Sequence, residues 1–95
     1  MKQEPRYVGI DVSKDRLDVH VRPDKTVTHF DNNPEGIERL CQEMKRLRPE
    51  RIVLEATGGL ELPCVSALGA EGLPVVMVNP RQVRDFAKAT GRLAK

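Results

Sequence analysis

Tryptophan is absent from this 95-residue chain, and its aromatics amount to one Tyr and two Phe. So few rings cannot build the stacking platforms of RRM or OB modules, so nucleic-acid contact would run mainly through backbone and shape. Cysteine is scarce as well. Cys41 and Cys64 stand far apart without C-x-x-C spacing, which argues against a zinc knuckle or a disulfide scaffold and for two buried thiols. No stretch approaches the roughly 20 apolar residues of a membrane span, and Met1–Pro5 leads into a short strand pattern with no signal-peptide core. A soluble protein of the cytoplasm, without membrane contact, is the expectation. Neither a G-x-x-x-x-G-K-[ST] loop nor a G-x-G-x-x-G fingerprint occurs. Ser13 and Ser66 have no base in a plausible constellation, so serine-hydrolase chemistry has no support.

The chain does hold an ordinary globular mixture, 39% hydrophobic and 32% charged, long enough for one small domain over residues 1–95. Its formal charge of +2 is unevenly spread. Residues 1–80 carry eleven Lys and Arg against thirteen Asp and Glu, whereas 81–95 carry Arg81, Arg84, Lys88, Arg92 and Lys95 against Asp85 alone. A basic cluster of this kind is either a phosphate-binding face or a solvated helix surface.

Val8, Ile10 and Val12 alternate with Gly9, Asp11 and Ser13, and Leu17, Val19 and Val21 alternate with Asp18, His20 and Arg22. Both have the period of two that marks a strand. A third run, Thr26–Phe30, follows Pro23-Asp24, and such short connections predict an antiparallel meander. Asn33-Pro34 then opens a helix whose apolar face is Ile37, Leu40, Cys41, Met44 and Leu47, with Pro49 as its stop. Ile52-Val53-Leu54 reads as a buried parallel strand. Thr57-Gly58-Gly59 turns into a second helix with Leu60, Val65 and Leu68 apolar and Gly72 near its end. Pro74–Val78 reads as another buried strand, and Asn79-Pro80 starts a last helix carrying Val83, Phe86 and Ala87. The order β-β-β-α-β-α-β-α predicts an α/β mixed five-stranded sheet of the ribonuclease-H-like kind. Nucleases, integrases and sugar-kinase-type ATPases share versions of that fold.

Two carboxylates draw attention. Asp11 lies within a strand, where a carboxylate is costly unless paired, hydrated or metal-bound; solvation at a strand end is the alternative. Glu55 ends the fourth strand just before Thr57-Gly58-Gly59, at the carboxyl end where α/β sheets collect ligands. If those two strands are neighbours, Asp11 and Glu55 approach each other, and two hard oxygen donors open to water suit Mg²⁺ or Mn²⁺ in phosphodiester chemistry. The glycines of Thr57-Gly58-Gly59 serve either a phosphate at a helix N-terminus or simply a tight turn. His20 and His29 have no metal-ligand spacing and read as exposed strand residues. Arg81, Arg84 and Lys88 share one helical face and could each neutralise a phosphate.

Three stretches together resemble the N-terminal DEDD (RuvC-like) domain of IS110/IS116/IS902-type transposases: Val8-Gly9-Ile10-Asp11-Val12-Ser13-Lys14, Leu54-Glu55-Ala56-Thr57-Gly58-Gly59, and the run from Val78 to Gly91. The resemblance implies a DNA-mobilising enzyme of a bacterial insertion sequence. Asp11 and Glu55 would be the first D and the E of a metal-binding acidic tetrad. Lys14, Thr57, Gly58, Arg81, Arg84, Lys88 and Arg92 would be its nucleic-acid contacts. It further implies Mg²⁺ or Mn²⁺, a DNA partner, a structured guide RNA and a homo-oligomer. The family's last two aspartates follow a Lys-Thr-Asp-x-x-Asp-Ala stretch, which would begin at Lys95. A C-terminally incomplete domain is therefore expected, with half the tetrad, weak metal binding and no DNA cleavage of its own. The competing readings are a RuvC-like Holliday-junction resolvase, a sugar-kinase-type ATPase and a noncatalytic nucleic-acid-binding module. Val12-Ser13-Lys14, where a kinase phosphate loop wants glycine, weighs against the ATPase.

Overall fold

A computed structural model describes residues 4–79. Three strands come first, β1 (Tyr7–Val12), β2 (Arg16–Arg22) and β3 (Thr26–Asp31). Then follow α1 (Pro34–Leu47), β4 (Arg51–Glu55), α2 (Leu62–Ala70) and β5 (Val75–Val78). The last helix expected from the sequence lies outside the described residues.

The strands form one mixed sheet in the order β3-β2-β1-β4-β5. β1, β2 and β3 pair antiparallel as the short turns require, while β4 lies parallel to β1, and β5 parallel to β4. Alternation sorts the faces. Val8, Ile10, Leu17, Val19, Val21, Ile52 and Leu54 point to one side and join Ile37, Leu40, Cys41, Met44, Cys64 and Leu68 of the helices in a single core. Both described helices therefore pack on the same face. The opposite face carries Gly9, Asp11, Asp18, His20 and Glu55, and no described helix covers it.

α1 begins as its sequence predicts. Asn33 is the N-cap, its side-chain oxygen accepting from the Gly36 N–H at 2.7 Å, with Pro34 in the first turn. Its C-cap is Arg48, in the left-handed region at φ 53°, whose N–H donates to the Met44 carbonyl. Pro49 follows that cap. Ile37, Leu40, Cys41 and Met44 fall one turn apart and are buried.

Two expectations need correction. Leu60 precedes α2 and is exposed, because the helix starts only after the turn closes on Glu61. β5 is an edge strand, half-buried with Met77 exposed, where continuous burial was expected. An apolar run shows that both faces tolerate burial; the edge position leaves one flank of this strand without a described neighbour.

Candidate metal centre

β1 and β4 bring the two carboxylates together. Their register runs Tyr7 with Arg51, Val8 with Ile52, Gly9 with Val53 and Ile10 with Leu54. One step further along both strands come Asp11 and Glu55. Parallel strands keep equal positions about 4.8 Å apart across the ladder and on the same face. Both residues sit on the open face at its carboxyl end, and both are exposed. They border a shallow depression of ≈ 360 Å³ that runs back along Gly9 and Val53 to Tyr7 and Arg22. A larger groove of ≈ 600 Å³ lies on the helical side, between α1 and α2, away from the carboxylates.

The loops around this end are laced together by a residue that local pattern did not single out. The Asn32 backbone N–H donates to the Asp15 carbonyl at 3.0 Å, and its side-chain amide donates to the Ser13 carbonyl at 2.8 Å and the Leu60 carbonyl at 3.4 Å. It thus ties the β1–β2 turn, which carries Lys14, to the β4–α2 loop, which carries Thr57 and Gly58. All three of those expected contact residues lie at the same end of the sheet as Asp11 and Glu55. Arg81, Arg84, Lys88 and Arg92 lie outside the described residues.

The turn after β4 is organised by Glu61, also missed by sequence reading. Its carboxylate is buried and accepts from the Thr57 N–H at 2.9 Å, the Thr57 hydroxyl at 3.0 Å and the Gly59 N–H at 3.1 Å. The Thr57 backbone N–H is the largest influence holding the Glu61 carboxyl below the usual carboxylate range, against the opposing effect of burial. Gly58 and Gly59 adopt positive φ of 69° and 105°, which closes the loop on that acid. Glu61 thus gives the tight turn a structural partner of its own. A phosphate approaching here meets Thr57 and Gly59 amides already engaged.

Both histidines of the sheet also find carboxylate partners. His20 Nε2 stands 3.2 Å from Asp11 Oδ2, and His29 Nδ1 stands 2.7 Å from Asp18 Oδ1. His29 is exposed, as expected, whereas His20 is half-buried, and each has an aspartate partner on the neighbouring strand. Arg16 Nε also reaches Asp18 Oδ1 at 2.9 Å. The His29 hydrogen bond is the main cause of an Asp18 pKa below the ordinary value. Period-two alternation puts these residues on one face, but only the cross-strand register makes them meet.

A divalent cation suits this donor set. Two hard carboxylate oxygens open to water match the preference of Mg²⁺ and Mn²⁺ for oxygen ligands with several waters retained. Among the described residues no group of three or more His, Cys, Asp or Glu side chains is clustered to hold a metal, so the described site supplies two carboxylates.

Comparison with known proteins gives a consistent result. A family model described as a transposase, the DEDD type of IS110, matches residues 8–95. No curated protein matches the chain. Among solved structures, RuvC of T. thermophilus in complex with a Holliday junction substrate is 19% identical, with a TM-score of 0.65. That match covers 96% of this chain and 74% of that one. A second Thermus thermophilus RuvC structure is 22% identical with a TM-score of 0.54, covering 83% of this chain and 64% of that chain. At such identities the likeness concerns the fold, and the fold is the ribonuclease-H-like α/β sheet of RuvC.

Proposed function

Because the chain belongs to the IS110-type DEDD transposase family, we propose that residues 1–95 form the N-terminal RuvC-like part of a transposase that acts on DNA phosphodiester bonds, with Asp11 and Glu55 as metal-holding residues. The observation that carries this is the placement of both carboxylates one step past the Ile10–Leu54 pair, on one open face. A bound Mg²⁺ or Mn²⁺ supplies activation of a water or hydroxyl and neutralises charge on the phosphodiester. The chain's own work is to hold the oxygen donors in place. The β1–β4 ladder sets their spacing, and Asn32 and Glu61 fix the loops on either side. Water access stays open, since no described element covers the pair.

Lys14 in the β1–β2 turn and the Thr57-Gly58 loop beyond β4 are the candidate contacts for a DNA backbone reaching the carboxylates, with the Thr57 N–H and hydroxyl serving to shape that loop through Glu61. Arg81, Arg84, Lys88 and Arg92 extend that contact through charge, each neutralised phosphate adding about 0.9 to the salt slope of binding. A guide RNA, a homo-oligomeric state and a bacterial cytoplasmic setting belong to the same reading. The two carboxylates of the described residues would by themselves hold an ion weakly, because in-line displacement with two metals needs more ligands than one such pair provides.

Mn²⁺ titration followed by paramagnetic broadening of amide signals tests the assignment. Broadening is expected at the ends of β1 and β4, and is expected to vanish in Asp11→Asn and to weaken in Glu55→Gln. Broadening elsewhere, or unchanged in both variants, overturns the metal site. Mg²⁺-dependent nicking that survives Asp11→Ala overturns the catalytic assignment.

A further inference from the structure

The pairing of His20 with Asp11 has a use within that reading. We propose that His20 is a positioning residue for the candidate metal centre, donating Nε2–H to Asp11 Oδ2 and leaving Oδ1 as the atom available to a divalent cation. The inference rests on the metal-site reading of Asp11 and Glu55.

Three observations support it. First, a carboxylate only accepts, so the 3.2 Å contact requires Nε2 to carry the proton toward Asp11. Second, the register places His20 opposite Gly9, so it reaches Asp11 along the diagonal. The space above Gly9 is open, with nothing within 4 Å of where a Cβ would stand, so no neighbouring atom crowds that part of the face. Third, the residue directly opposite Asp11 is another acid, Asp18. Like charges facing each other across a ladder are unfavourable and would leave Asp11 without a fixed direction. The structure separates them: His29 and Arg16 hold the Asp18 carboxylate, and His20 holds that of Asp11.

The Asp11 side chain is 76% exposed, so without a partner it would sample several rotamers, and capturing a cation would cost the entropy of ordering it. A histidine that holds the carboxylate beforehand reduces this cost. Partners of metal-ligating carboxylates typically contribute about 10–100-fold to affinity, and a pair this exposed is expected to fall at or below the lower limit of that range, at about three- to tenfold.

The test is Mn²⁺ titration of the 95-residue chain at one fixed pH, read by broadening at the ends of β1 and β4, alongside the rotamer distribution of Asp11 from its Hα–Hβ couplings without metal. His20→Ala is expected to weaken Mn²⁺ binding by about three- to tenfold and to average the Asp11 couplings. His20→Gln, whose amide can still donate, is expected to restore most of both. His29→Ala, which removes the chemically matched pair one strand away, is expected to leave both unchanged. If Mn²⁺ binds the wild type through Asp11 and His20→Ala binds equally well, the positioning role is overturned while the metal site stands. If His20→Gln is as weak as His20→Ala, His20 acts as a ligand itself and the donor role is overturned. Absence of Mn²⁺ binding in the wild type overturns the metal-site reading and this role together.

Discussion

Replacing Gly36 with alanine is expected to destabilise the fold, against the direction that helix propensity alone gives. Gly36 lies in the first turn of α1, where glycine costs about 1 kcal/mol relative to alanine. A Cβ at this position would stand 2.0 Å from the Asp31 carbonyl oxygen, 2.7 Å from its carbon and 2.9 Å from its nitrogen. Ordinary contact needs about 3.5 Å, so the helix start or the end of β3 must move by more than about 1 Å. Neither end is free. Asp31 is in register with Arg16 across β2, and the helix start is held by the Gly36 N–H to Asn33 side chain at 2.7 Å and the Ile37 N–H to the Asn33 carbonyl at 2.9 Å. Disturbing the cap costs about 1 kcal/mol, and overpacking against backbone costs about 2 kcal/mol. Less the roughly 1 kcal/mol gained in propensity, the net is about 2 kcal/mol of destabilisation. Urea unfolding followed by far-UV circular dichroism reads this directly. With a slope of about 1–2 kcal/mol/M, the midpoint falls by about 1–2 M. A midpoint equal to or above that of the wild type would refute the close approach of α1 to Asp31.

Two further outcomes follow from the titratable groups. Burial pushes the Cys64 thiol up to about 12, so in a Cys41→Ser background it is expected to react with a disulfide reagent at pH 8 only as fast as the chain opens; fast labelling of the native state would contradict its place in the core. Asp18 is held below its ordinary 3.8 chiefly by the His29 hydrogen bond. A depressed folded pKa means stability that is present above 3.8 and lost as pH falls through the lower folded value. The Asp18 carboxyl carbon shift is therefore expected to titrate below 3.8 in the wild type and closer to it in His29→Ala, and an unmoved midpoint would show that the ring contributes nothing.

Much of this molecule is written in local sequence. Alternation in Val8-Gly9-Ile10-Asp11-Val12 and in Leu17–Arg22 specifies strands and their faces, and Asn33-Pro34 with the Ile37, Leu40, Cys41 and Met44 stripe specifies α1, because caps and periodicity act within one or two turns of chain. The position of Glu55 at a strand end, just before Thr57-Gly58-Gly59, is likewise local, and so is the candidacy of Asp11. Tertiary structure decided the rest. That β1 and β4 are parallel neighbours, placing Asp11 beside Glu55, depends on a crossover through α1 that no local pattern encodes. The His20–Asp11 and His29–Asp18 contacts depend on the stagger of adjacent strands, and a slip of one residue would send those side chains to the other face. Asn32 joins loops that lie far apart in the chain, and Gly36 is required by a close approach to the end of β3 rather than by anything in its own helix. Sequence alone determined which residues could carry the chemistry and on which faces they lie. Cross-strand register determined which of them meet, because contacts between distant residues exist only once the sheet has fixed their relative positions.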